Sequence, residues 1–274
     1  MTASAEPGLS GVAETLLVTL YLRAEESRRP DALIKDEKAV ELVSRLDYDF
    51  GRVRAIPLSE VNKLVIILRN LEFDRCARGF LARHPESILV HIGCGLDSRF
   101  ERVDDGQVEW YDLDLPQVVD LRRTLLGGEK ERYHLLAGSV LDDAWSEALG
   151  ARRPRSFLFL AEGVFMYFRE TQVKLLVQRL RDRFPGAELV FDAYSPIHVW
   201  RSNLQIAGFG QRVHWGIWRG QEIEGWGDGI RMLGEWSPFD DPSPRLGRIR
   251  WLRPVEALAR TMRVYHFRLA EDKS

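Results

Sequence analysis

Apolar positions in the first 85 residues recur at helical spacing. Leu9, Val12, Ala13, Leu16, Leu20 and Ala24 would share one face, and Pro30 stops the run. A short helix is expected over residues 36–45. A third spans about 59–83, opening at Ser59-Glu60-Val61-Asn62 and ending before Pro85. Then the period changes. Residues 87–93 (SILVHIG) are apolar through their centre, as a strand buried on both faces would be. Further strands are expected over 108–114 (VEWYDLD), 133–140, 156–161 (SFLFLA) and 187–193 (AELVFDA). Between the last two, Val173, Leu176, Val177, Leu180 and Phe184 line one helical face, closed by Pro185-Gly186. Such alternation predicts an α/β chain with a doubly wound parallel sheet and right-handed crossovers. Two late strands are expected over 229–237 and 264–270, with a helix over 254–262 between them.

Residues 198–250 break this rhythm. They hold Trp200, Trp215, Trp218, Trp226 and Trp236, five of the 8 tryptophans. The chain therefore divides into an N-terminal helical cap (1–85), a Rossmann-like core (86–197), a Trp- and Gly-rich insertion (198–250), and a last helix and strand (251–274). The insertion is a candidate lid over an acceptor, with plain core filling by its tryptophans as the alternative.

Composition narrows the partners. The 274 residues carry 39 basic and 41 acidic side chains, a net charge of −2. That gives no general attraction to nucleic acid or to an anionic membrane, so a small-molecule partner is expected. No apolar run approaches the roughly 18 residues of a membrane span. Residues 1–7 lack a basic segment leading into an apolar one, so a secretory signal is not expected. Two cysteines are too few for a disulfide framework and point to reduced thiols in the cytoplasm. The histidines and cysteines show no metal-ligand spacing, and no metal is expected. Oligomeric state is not readable.

The chemistry concentrates at three strand ends. His91-Ile92-Gly93-Cys94-Gly95-Leu96-Asp97-Ser98-Arg99 sits where the first parallel strand closes, the place an open α/β sheet binds ligands. Gly93 and Gly95 allow close backbone approach, whereas a dinucleotide loop would want glycine where Ser98 stands. The second strand ends in Asp112-Leu113-Asp114-Leu115-Pro116. An acid here can accept from a ribose diol, or simply cap a helix opened by Pro116. Strand alternation puts Asp112 and Asp114 on one face, which leaves the choice between them open. Glu162, in Ala161-Glu162-Gly163-Val164-Phe165-Met166-Tyr167, needs a partner to offset desolvation. A cationic ligand and a nearby arginine are the two options.

These segments, together with Leu22-Arg23-Ala24, Glu26-Ser27 and Arg69-Asn70-Leu71-Glu72-Phe73-Asp74, resemble the leucine carboxyl methyltransferase family, most closely its bacterial polyketide-type O-methyltransferases. The resemblance covers most of the chain. It implies a class I methyltransferase sheet of seven strands, the last antiparallel, and S-adenosyl-L-methionine as cofactor. It implies that Arg69 grips the cofactor carboxylate and that Gly93, Cys94 and Gly95 line the methionine end. Asp114 would hold the ribose, Ser139 and Val140 the adenine, and Glu162 the amino-acid end. Ser139 departs from the aspartate many relatives carry there. Cys94 replaces a common alanine and reads as a small packed residue.

The implied activity is methyl transfer to an oxygen, carboxylate or hydroxyl, of a small molecule such as a polyketide. Protein carboxyl methylation and an NAD(P)-dependent oxidoreductase are the alternatives, with a silent binding protein as a third. No catalytic residue is assigned. His198, His214 and Tyr194 are candidate bases, and Tyr167 and Tyr21 candidate lining of the acceptor pocket.

Overall fold

The computed structural model describes residues 12–152, 155–205, 212–247 and 261–270. In chain order its elements are α1 (Val12–Ser27), α2 (Glu37–Arg45), α3 (Gly51–Arg54), α4 (Glu60–Arg83), β1 (Ile88–Ile92), α5 (Arg99–Val103), β2 (Glu109–Asp114), α6 (Pro116–Leu126) and β3 (Tyr133–Ala137). There follow α7 (Ala144–Gly150), β4 (Phe157–Ala161), α8 (Glu170–Arg183), β5 (Ala187–Tyr194), α9 (Pro196–Gln205), α10 (Gln221–Glu224), β6 (Ile230–Trp236) and β7 (Met262–Leu269). The seven strands lie in the order β3-β2-β1-β4-β5-β7-β6. β1 to β5 pair in parallel, and β7 runs antiparallel to both β5 and β6. This is the class I methyltransferase sheet, with its last strand reversed.

Local chemistry sets the boundaries. Asp36 caps α2 by accepting from the Ala39 N–H at 2.9 Å, and Ser59 caps α4 by accepting from Asn62 at 3.2 Å. Pro116 opens α6, and Gly127, at φ +94°, follows its last residue. β3 stops three residues short of expectation because the chain turns at Ser139, whose carbonyl accepts from the Asp142 N–H. Most of the helix expected over 254–262 lies outside the described residues, and Met262 opens β7.

Every residue of β1 and β4 is buried, because helices cover both faces of the sheet. On one face Val90, Phe159 and Phe191 meet Val173, Leu176, Val177 and Leu180 of α8, with Trp215 and Trp226. On the other, Leu89, Trp110 and Leu158 meet Phe73, Ala77 and Phe80 of α4, with Phe100 of α5 and Val119 of α6. A third cluster joins α1 and α2 to Leu96 of the glycine loop and Leu125 of α6, which docks the helical cap onto the sheet's carboxyl edge. Two tryptophans of the insertion, Trp215 and Trp226, thus fill core, whereas Trp200 and Trp218 are exposed.

β1 and β4 are neighbours, yet the chain runs from β1 out to β3 before returning to β4. In sheets of this kind such a reversal marks the crevice, at the strands' carboxyl ends, where ligands bind.

Candidate active site

The glycine loop forms this crevice's first wall. Its Gly93 N–H donates to Leu113 O at 2.7 Å. Gly93 and Gly95 both adopt positive φ, +64° and +51°, which glycine adopts without strain. A Cβ on Gly93 would stand 2.3 Å from Val164 Cγ2, and one on Gly95 2.6 Å from Leu16 Cδ2. On that side the close approach is made by the protein's own side chains. The glycines serve packing as well as any ligand. Cys94 is buried, and burial drives its thiol well above the usual range, so it stays protonated.

β2 supplies the acid. Asp112 is buried and taken up by the protein: Trp110 Nε1 donates to it at 2.7 Å, Tyr133 OH at 2.6 Å, and Arg122 Nη2 completes the set. Asp114 receives two backbone N–H groups, Gly95 to Oδ2 at 2.8 Å and Leu115 to Oδ1 at 2.8 Å, and a weak donor at 3.9 Å from the Cys94 thiol. Burial raises its pKa despite those donors. Of the two acids that strand alternation leaves open, Asp114 is the one with no guanidinium bonded to it.

β4 and α4 build the opposite wall. Glu162 Oε1 accepts from Arg69 Nε at 2.9 Å and from Asn70 Nδ2, and Oε2 accepts from Arg99 Nη2 at 2.6 Å. The nearby arginine expected for it is supplied twice, by Arg69 and by Arg99. Arg69 Nη1 also donates to Asp192 of β5 at 3.0 Å. Gly163, at φ +68°, passes close to the guanidinium, and its N–H donates to Asp192 Oδ1. Burial disfavours the charge on Arg69, but Asp192 and Glu162 outweigh it and hold the pKa above the ordinary value. Among the described residues nothing accepts from Arg69 Nη2.

The three signals therefore meet. Gly95 ties the loop to Asp114, and Arg99 ties the same loop to Glu162. The motif residues trailing the loop extend the network. Arg99 donates to Asp74 at 2.7 Å, and Arg102 reaches Asp74, Asp36 and Asp97. Ser98 donates to Asp36 at 2.6 Å, and Arg23 donates to Asp36 at 2.9 Å and to Leu96 O at 2.8 Å. Most of these charges are buried, so the network holds the cap in one register against the loop.

The remaining candidates scatter. Ser139 is half-buried, its Oγ accepting from the Leu141 N–H and its own N–H facing Asp142 Oδ2. Val140 is buried beside Trp145. Tyr194 closes β5 and stacks on His198 at 4.6 Å. Burial, with Arg201, lowers the His198 pKa, and burial raises Tyr194 and takes Tyr167 to about 12. His214 is exposed, with only its backbone engaged, at Met166 O. Tyr21 stacks on Phe50 and packs against the cluster that joins the N-terminal helices to Leu96 of the glycine loop.

Asn70 and Asp192 went unread in the sequence. An acid inside the apolar run AELVFDA was the available signal for Asp192. Asn70 carried none beyond its place next to Arg69.

The sequence model of the leucine carboxyl methyltransferase family matches residues 16–181. The chain belongs to the leucine carboxyl methyltransferase family. It is an S-adenosylmethionine-dependent methyltransferase, and the NAD(P) reading falls with that assignment. A relative from Streptomyces glaucescens, the tetracenomycin polyketide synthesis O-methyltransferase TcmP, is 35% identical over 85% of this chain and 86% of its own length. The S-adenosyl-L-methionine-dependent methyltransferase dpfgK of Gibberella zeae is 29% identical over 89% and 88%. Among solved structures, a DUF574 family protein from Streptomyces avermitilis superposes with a TM-score of 0.59 at 14% identity, covering 93% of this chain and 97% of its own. At that identity the likeness speaks for the fold alone. Arg102 links the motif residues of this family: it shares Asp36 with Arg23 and Asp74 with Arg99.

Proposed function

We propose that this methyltransferase methylates an oxygen, hydroxyl or carboxylate, of a small and largely apolar molecule of the polyketide type. The observation that carries the reading is spare hydrogen-bonding capacity at both walls of one crevice, on Asp114 and on Arg69 Nη2. The likeness to TcmP supports the acceptor class.

The residues fit the cofactor. Asp114 would take the ribose hydroxyls as a carboxylate that lacks a counter-ion of its own. Arg69 would take the carboxylate through Nη2 while Glu162 and Asp192 fix the guanidinium plane. Gly93, Cys94 and Gly95 would border the methionine end, and Ser139 with Val140 the adenine. Bound there, S-adenosylmethionine supplies a methyl group already activated on a sulfonium. The chain's task is then to align the acceptor and exclude water. No covalent enzyme intermediate is required, in keeping with the neutral, buried Cys94 thiol.

The acceptor side we assign to the carboxyl ends of β4 and β5. Tyr167 and Tyr194 remain protonated at neutral pH and can donate to an acceptor oxygen. His198 is a neutral imidazole there and can take a proton from a hydroxyl at a ring nitrogen, whereas a carboxylate acceptor needs no base. The exposed Trp200 of α9 offers a flat wall to the acceptor, the part of the insertion we propose as lid. The proposed setting is the cytoplasm, supported by the free thiols Cys76 and Cys94.

The test incubates the full chain with S-adenosylmethionine labelled in its methyl group and a panel of polycyclic aromatic phenols and carboxylic acids. Label should pass into a solvent-extractable ether or ester. Label recovered only on protein carboxyl termini would overturn the small-molecule reading.

A further inference from the structure

We infer that Asn70 is a further cofactor-binding residue, its Oδ1 accepting a hydrogen bond from the α-ammonium group at the methionine end. The inference rests on the chain's reading as an S-adenosylmethionine-dependent methyltransferase.

Asn70 is 1% exposed, and its Oδ1 is a buried acceptor with no partner. Buried amide oxygens are nearly always satisfied, so an orphan at a ligand site calls for a donor. The amide cannot simply be turned over. Its Nδ2 donates to Glu162 Oε1, and an ionised carboxylate only accepts. Glu162 thereby fixes which end of the amide is left over.

That same carboxylate oxygen also accepts from Arg69 Nε at 2.9 Å. Two consecutive residues of α4 therefore converge on one atom, each with one group unspent. Arg69 keeps the donor Nη2, and Asn70 keeps the acceptor Oδ1. A free donor and a free acceptor on two side chains that share Glu162 Oε1 are the complement of an α-amino acid zwitterion, whose carboxylate accepts and whose ammonium donates. Glu162 is the less suitable acceptor, since both its oxygens are occupied by Arg69, Asn70 and Arg99. Its charge still lies beside the proposed ammonium position and favours it.

The proposal separates the amino-acid end of the ligand from its nucleoside end, and two probes read that difference. S-Adenosylhomocysteine carries the zwitterion; 5′-methylthioadenosine lacks it. Calorimetry on the full chain should show the wild type preferring the former. Asn70→Ala should weaken S-adenosylhomocysteine by about tenfold, the worth of one hydrogen bond to a charged group, and 5′-methylthioadenosine by less than about twofold. Asn70→Asp keeps an acceptor oxygen and should keep the preference, even where it binds Glu162 less well. Because the preference is a ratio within one protein, partial unfolding of a variant does not alter it. Equal weakening of both probes by Asn70→Ala, or no weakening of either, overturns the proposal. A wild type that binds neither probe would instead sink the cofactor reading on which it rests.

Discussion

The polar cluster around Asp112 and the one around Asp114 stand two residues apart on β2, on the same face of the sheet, and they are built to opposite ends. Asp112 lies in the interior, where an indole, a phenol and the Arg122 guanidinium satisfy it. Burial pushes its pKa up, but Arg122 with its other donors overrides burial and holds it below the ordinary value. Asp114, one pleat further on, has two amides and no guanidinium bonded to it. There burial wins, and its pKa lies above the ordinary value. The first cluster is closed and holds the fold. The second has fewer donors and stands at the sheet's carboxyl edge, where we propose that the cofactor ribose supplies the rest. Arg122 links them, since its Nη1 also donates to Gly95 O at 2.7 Å and to Asp97 O at 2.8 Å. The interior cluster thus sets the position of the loop on which the open one depends.

The most severe way to break this comparison is Asp112→Ala. It leaves Arg122 buried with no charge partner and strips the acceptor from Tyr133 and Trp110. The expected loss is about 3–5 kcal/mol of folding stability, read by chemical denaturation. A loss under about 1 kcal/mol, the scale of an exposed pair, would show that the cluster is not structural. Next in size is Asp114→Ala. Here cofactor affinity should fall by about 1–3 kcal/mol, measured with S-adenosylhomocysteine, with a much smaller change in stability than Asp112→Ala produces. If the two substitutions exchanged their effects, the roles of the two acids would have to be exchanged with them.

This division was only partly legible in the sequence. Strand positions followed from apolar runs, and α4 from its period and the Ser59 cap, because those signals are local. β1 was readable as a strand buried on both faces because its centre is apolar throughout. The helices α3 and α5, of four and five residues, are too short to show a period. Choosing between Asp112 and Asp114 required knowing that Tyr133 of β3 and Arg122 of α6 close over the first. Asn70 meets Glu162 across 92 positions, and Arg69 meets Asp192 across 123, so spacing carries no trace of either pair. The glycines at 93 and 95 were visible, but not that Val164 and Leu16 would press against them.

The finest separation of the two clusters is by pH. An aspartate in the unfolded chain titrates near about 3.9. Asp112, depressed in the folded chain, stabilises the fold fully above that value, and its contribution is lost only as pH falls through its lower native pKa. Asp114 is elevated, so the folded chain takes up its proton first, while pH is still above the ordinary value. A ribose diol donates to a carboxylate more strongly than to a neutral acid. On acidification from about pH 7, affinity for S-adenosylhomocysteine should therefore decline before the fold is lost. The decline should approach about tenfold per pH unit at most once pH is below the Asp114 pKa. Calorimetry and circular dichroism at matched pH would follow the two events, and Asp114→Ala should abolish the early decline. Loss of affinity only where the fold itself melts, or the same early decline in Asp114→Ala, would mean that Asp114 does not carry the ribose.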